Sequence, residues 1–148
     1  MKRLALAAAA LLLALPSLAG EFFEKNGVAL RGYDPVAYFT EHRPVEGSAE
    51  FTAEYQGSTF RFANKANRDA FAAAPTQYAP QYGGYCAYGT ALGQKVAVDP
   101  AAFSVVDGKL YLNYNRDIQK QWSGDIPGNI TKADANWPVV RRLTKVVE

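Results

Sequence analysis

The 148-residue chain has one cysteine, one histidine and one methionine, and each scarcity removes a class of function. With Cys86 alone, an intramolecular disulfide is excluded, so stability must come from the core. Cys86 and His42 are the only soft or borderline metal ligands besides Met1. That inventory excludes a four-cysteine zinc site, a mixed two-cysteine and two-histidine site, and a methionine-rich copper relay within one chain. Charge of one sign is also scarce. Sixteen basic residues face 14 acidic ones, with no Lys/Arg cluster, which argues against a nucleic-acid partner whose phosphates need neutralising. No phosphate loop, Ser-His-Asp order or paired-carboxylate motif appears, so no residue is assigned a catalytic role. A membrane-spanning run of about 20 apolar residues is missing too. The run from Leu4 to Leu15 has 12 residues.

What is present at the start is a leader. Met1-Lys2-Arg3 is a basic opening, the Leu4–Leu15 run follows, Pro16 breaks it, and Ser17-Leu18-Ala19 presents small residues to a signal peptidase. The sequence therefore predicts a removable secretory signal over 1–19 and a single domain over 20–148. Cleavage after Ala19 leaves 129 of the 148 residues and removes Lys2 and Arg3, so basic residues fall from 16 to 14 against 14 acidic ones. The expected location is periplasmic or secreted, with no membrane insertion after cleavage. No cysteine follows the cleavage point to carry a lipid.

Along the mature chain, Asp34-Pro35 predicts a capped helical turn, and Asp99-Pro100 predicts another. A two-residue turn at Gln56-Gly57 pairs Tyr55/Ser58, Glu54/Thr59, Ala53/Phe60, Thr52/Arg61 and Phe51/Phe62. That register gathers Phe51, Ala53, Tyr55, Phe60 and Phe62 on one face, and a slip of one residue would expose every aromatic. Asp107-Gly108 predicts a second hairpin, with Phe103, Val105, Leu110 and Leu112 on one side and Ser104, Val106, Lys109 and Tyr111 on the other. Lys95–Val98 reads as a further strand. A helix is expected over Lys65–Ala74 with Asn64 as its cap, and another after Asn115 with Ile118 and Trp122 on one face. Asp125–Ile130 reads as loop, Thr131–Asn136 as helix, and the segment carrying Val140, Leu143 and Val147 as a last amphipathic stretch. Mixed helices and antiparallel hairpins predict a small single domain of the α+β class.

The least ordinary stretch is Gln81-Tyr82-Gly83-Gly84-Tyr85-Cys86-Ala87-Tyr88-Gly89. Its glycines permit tight turns, and its tyrosines offer flat faces with a hydroxyl at the edge. Tyr82, Tyr85, Cys86 and Tyr88 are the candidate ligand-binding residues, and Cys86 with His42 the candidate metal ligands. The competing reading is a structural turn in which Cys86 is a small buried hydrophobe.

Several segments together carry a family resemblance. They are Gly32-Tyr33-Asp34-Pro35-Val36-Ala37-Tyr38-Phe39, Tyr55-x-Gly57-x-x-Phe60-x-Phe62, Phe71 and Pro75-x-x-Tyr78. Tyr82-Gly83-Gly84-Tyr85-Cys86-Ala87, Asp107-Gly108-Lys109-Leu110-Tyr111 and Ala133-Asp134-x-Asn136-Trp137-Pro138 complete the set. In these the chain resembles the exported branch of the YHS-domain family. The resemblance implies a small α+β domain related to cysteine-bearing metal-binding modules of metal-transporting ATPases and some oxygenases. Metal-binding relatives carry a cysteine just after the Asp-Pro-Val opening, where this chain has Ala37. They carry another at the end of the second hairpin strand, where this chain reads Phe62-Ala63-Asn64. The family's metal site is therefore not carried across.

The sequence favours a non-catalytic binding module working through the Tyr/Gly/Cys loop. Its ligand is a metal ion, copper first, or a small organic molecule. Two other readings stand beside it: a thiol-based redox or transfer enzyme using Cys86, and a structural or partner-binding subunit of an exported complex, including a homodimer.

Overall fold

A computed structural model describes residues 21–148; the secretory signal expected over 1–19 lies outside the described residues. The architecture is α+β. Strands β1 (Glu24–Lys25), β2 (Val28–Ala29), β3 (Ser48–Tyr55) and β4 (Ser58–Phe62) form one sheet in the order β1-β2-β4-β3, and β5 (Asp99–Val106) and β6 (Lys109–Asn113) form a second. Helix α1 (Ala37–Thr40) precedes β3. Helices α2 (Lys65–Ala73), α3 (Pro75–Tyr78) and α4 (Ala87–Ala91) come between β4 and β5 along the chain, and α5 (Arg116–Ser123) and α6 (Ile126–Val140) follow β6. No helix among the described residues is long and apolar enough to cross a membrane.

The first hairpin forms around the expected turn. Gln56 and Gly57 take φ of +49° and +83°, the left-handed pair that matches the natural twist of a two-residue hairpin. Four of the five expected pairs are present, from Tyr55↔Ser58 to Thr52↔Arg61. The fifth is corrected: Phe62 pairs with Ser48, because β3 bulges between Ser48 and Thr52. Gly47 sits beside this irregularity, where a Cβ would come within 2.5 Å of the Arg61 carbonyl carbon. The second hairpin keeps its expected register, from Val106↔Lys109 to Phe103↔Leu112. Both faces are covered, since Leu110, Tyr111 and Leu112 are all buried.

Four expectations are corrected. Asp99-Pro100 opens strand β5, although the Asp99 carboxylate still accepts from the Ala101 N–H at 2.9 Å. Lys95–Val98 is no strand; only Val96 bridges, to Val147. Helix α6 begins at Ile126 because Asp125 caps it through the Gly128 N–H, and Pro127 occupies the first turn, where its missing N–H costs nothing. The stretch carrying Val140, Leu143 and Val147 buries only the first of these side chains. It runs back beside Val96 with Leu143 and Val147 partly exposed. By contrast, Asn64 and Asn115 cap α2 and α5 as expected, accepting from Asn67 and Ile118 N–H groups.

Packing makes two buried clusters. The larger joins Phe22 and Phe23 to Phe60, Phe62, Phe71, Tyr85, Leu110 and Leu112. The smaller joins Tyr82, Ala87, Ala91, Tyr111, Trp122 and Ala133. Tyr88 and Trp137 pack against both, and so tie them into one interior.

Candidate functional site

The Tyr/Gly stretch is bent by three successive left-handed residues, Tyr82, Gly83 and Gly84, with φ of +53°, +62° and +79°. Gly83 admits no side chain: a Cβ there would overlap the Glu21 carbonyl oxygen. The reason is the chain's entry segment, which packs directly on this turn. The Phe23 N–H donates to the Gly83 carbonyl at 2.7 Å, and the Tyr85 hydroxyl donates to the Phe22 carbonyl at 3.3 Å.

This bend sends the candidate residues to different places. Tyr82 turns toward α6, donating to Asp134 Oδ1 at 2.8 Å and lying 6.1 Å from the Trp137 ring. Burial, then the Asp134 carboxylate, push its phenol pKa far up, so it stays a hydrogen-bond donor at any ordinary pH. Tyr85 faces the other cluster, with the Lys95 ammonium 4.8 Å from its ring centroid. Burial and the charge of Glu24 push its pKa up to about 12. Lys95 itself donates to the Arg141 and Leu143 carbonyls, 3.0 Å each, pinning the tail that follows α6.

Cys86 is 1% exposed. Its sulfur caps α4, accepting from the Gly89 N–H at 3.3 Å, and its thiol donates to Asn113 Oδ1 at 3.4 Å. The same oxygen accepts the Tyr88 N–H at 3.1 Å, leaving Asn113 Nδ2 buried without a partner. Burial pushes the Cys86 pKa up, against the weaker pull of the Gly89, Tyr114 and Tyr88 backbone. A nucleophilic thiol needs the opposite shift or a neighbouring base. His42 supplies none: it is exposed, with φ of +55°, and does not line the cavity that Cys86 borders.

Two cavities flank the stretch. One, of about 300 Å³, is bordered by Cys86, Tyr88, Leu92, Val96, Tyr114 and Val147. The other, of about 510 Å³, is bordered by Glu21, Phe22, Tyr55, Gln81, Tyr82, Asp134 and Trp137, among others. Of the four loop residues, the structure therefore gives Tyr82 to the larger cavity, Cys86 and Tyr88 to the smaller, and Tyr85 to the packed interior. Asp134 and Trp137 were not among the expected site residues. The signal was available: they stand three apart on a helix, hence on one face.

The donor set does not fit a resident metal centre. Among the described residues, no group of three or more His, Cys, Asp or Glu side chains gathers. The positions where metal-binding relatives carry cysteines do converge, but on a carboxylate. Ala37 and Ala63 both donate their backbone N–H groups to Asp34, at 3.3 and 2.9 Å. Val36 N and Asn67 Nδ2 complete the set at 2.8 and 2.7 Å. Asp34 is fully buried, and four protein donors fill the acceptor sites a carboxylate offers. At both positions the backbone holds a buried carboxylate.

No curated protein and no solved structure gives a significant match to the chain. The family model of the YHS domain matches residues 36–82, which run from the helical opening through the first hairpin and α2 to Tyr82. The larger cavity lies along the end of that span: Tyr55, Gln81 and Tyr82 fall inside it, whereas Glu21, Asp134 and Trp137 come from outside. Over that span, under half of the chain, the chain is similar to the YHS domain.

Proposed function

We propose that the chain is an exported, non-catalytic binding module of YHS type that takes a small ligand in the groove beside Tyr82. One observation carries this reading. The groove, at about 510 Å³, has the size of ordinary small-ligand sites, about 300–1,000 Å³, and combines aromatic walls with a few fixed polar groups. Export rests on the leader and sets the ligand among molecules met in the periplasm or outside the cell. The copper reading, with Cys86 and His42 as ligands, draws on the metal-binding members of the YHS family. It requires donors from a second subunit, since one buried thiol does not make a centre. A thiol enzyme finds no support in a sulfur held protonated and covered. The partner-binding reading draws on Leu92, Tyr114 and Val147, which are exposed around the smaller cavity.

The test is thermal unfolding of the mature protein against a fragment library. Thr76, exposed on the groove wall, is replaced by tryptophan to fill the space. Fragments that raise Tm should lose their effect in Thr76→Trp and keep it in Cys86→Ser. The reverse pattern would overturn the groove as the binding site.

A further inference from the structure

The groove carries acid and no base. Two carboxylates, Glu21 and Asp134, lie among its lining residues, with no Lys, Arg or His. Glu21 shares its charge with Arg141 at 3.4 Å. Asp134 has no basic partner among the described residues, and its Oδ1 is held by the Tyr82 hydroxyl at 2.8 Å. An exposed carboxylate usually swings freely; this one is pinned by a phenol that is 6% exposed. Trp137 stands one helical turn further along α6, so acid and indole are presented side by side. Phe22, Ala79 and Pro80 add apolar wall.

These parts select by charge and by hydration. A fixed carboxylate beside aromatic faces attracts a positive group, and a cation over an indole or phenol gains further, most when it sheds water easily. A bare metal ion, strongly hydrated, finds too few oxygen donors here to replace its water shell. An alkylated ammonium sheds its water readily and gains from the apolar walls as well. An anion meets the unpaired Asp134 with nothing to offset it. We propose that the groove takes a small organic cation, its ammonium head seated between Asp134 and the Trp137 ring. The inference rests on the reading that the groove is a ligand site, and goes beyond it in naming the ligand's class.

The experiment follows the Trp137 indole N–H by NMR in isotopically labelled mature protein, the signal being assigned with Trp137→Phe. The probes are phenyltrimethylammonium, its neutral carbon isostere tert-butylbenzene, and benzenesulfonate. The cation should bind at least about tenfold tighter than the isostere, and the sulfonate should leave the signal in place. In Asp134→Asn the amide oxygen still accepts the Tyr82 hydroxyl, and the cation's advantage should shrink to the smaller part that the indole alone supplies while the isostere binds unchanged. Equal binding of cation and isostere to the unaltered protein would overturn the cation inference and leave the groove as a site. Binding of none of the three would overturn both. A cation advantage that is undiminished in Asp134→Asn would overturn Asp134 as the anchor.

Discussion

At the residue scale, the decisive fact is that neighbours in sequence have different duties. Cys86 is a helix cap whose sulfur is covered and protonated, while Tyr82, four residues earlier, borders the 510 Å³ groove. The thiol should therefore react with iodoacetamide slowly in the native protein at neutral pH, and on the order of a hundredfold faster in denaturant. Comparable rates in both conditions would contradict this burial. The pH dependence has a definite sign. A thiol whose folded pKa is raised above its ordinary 9.0 stabilises the fold fully below that value and loses the contribution as pH rises through the folded pKa. Urea midpoints should fall as pH rises above about 9, less steeply in Cys86→Ala. The composition already showed that Cys86 had no partner to make a disulfide or a zinc site. It did not show where the sulfur lies, because burial of one small side chain depends on the helix it caps and on Asn113, which is 27 residues away.

At the element scale, local rules held where the signal is local. The two hairpin turns, the asparagine caps of α2 and α5 and most of the register of β3 with β4 follow from turn chemistry and alternation. Failures came where a distant element decides, or where a local cap reads as loop. The bulge in β3 answers to the close approach of Gly47 to Arg61, and α6 starts early because Asp125 and Pro127 act together at its first turn. Asp134 and Trp137 were legible as a motif and as helix neighbours, yet their facing Tyr82 is a tertiary event. The left-handed turn at 82–84 gives a sharp test. Gly83→Ala must place a methyl group into the Glu21 carbonyl at positive φ, and should cost at least about 2 kcal/mol in urea unfolding. Gly108→Ala, also at positive φ but with open space around it, should cost only about 1 kcal/mol. Equal costs would show that the entry segment does not press on this turn.

At the scale of the whole molecule, the fold uses its entry segment and its last helix to finish a groove that the YHS span only begins. Phe22 packs 5.1 Å from Phe60 and Phe23 5.6 Å from Tyr85, so the first described residues are core. Helix α6 brings Asp134 and Trp137, and Asn136 on the same helix caps α4 by donating to the Thr90 and Ala91 carbonyls at 3.1 and 3.0 Å. Recognition on this account belongs to the seam between these parts. The most direct measurement is backbone chemical-shift mapping of the mature protein with whichever fragment raises its Tm. The account predicts that the shifted amides cluster at Glu21, Gln81 to Gly83, Asp134 and Trp137. Shifts centred on Cys86, Tyr88 and Tyr114 instead would contradict it.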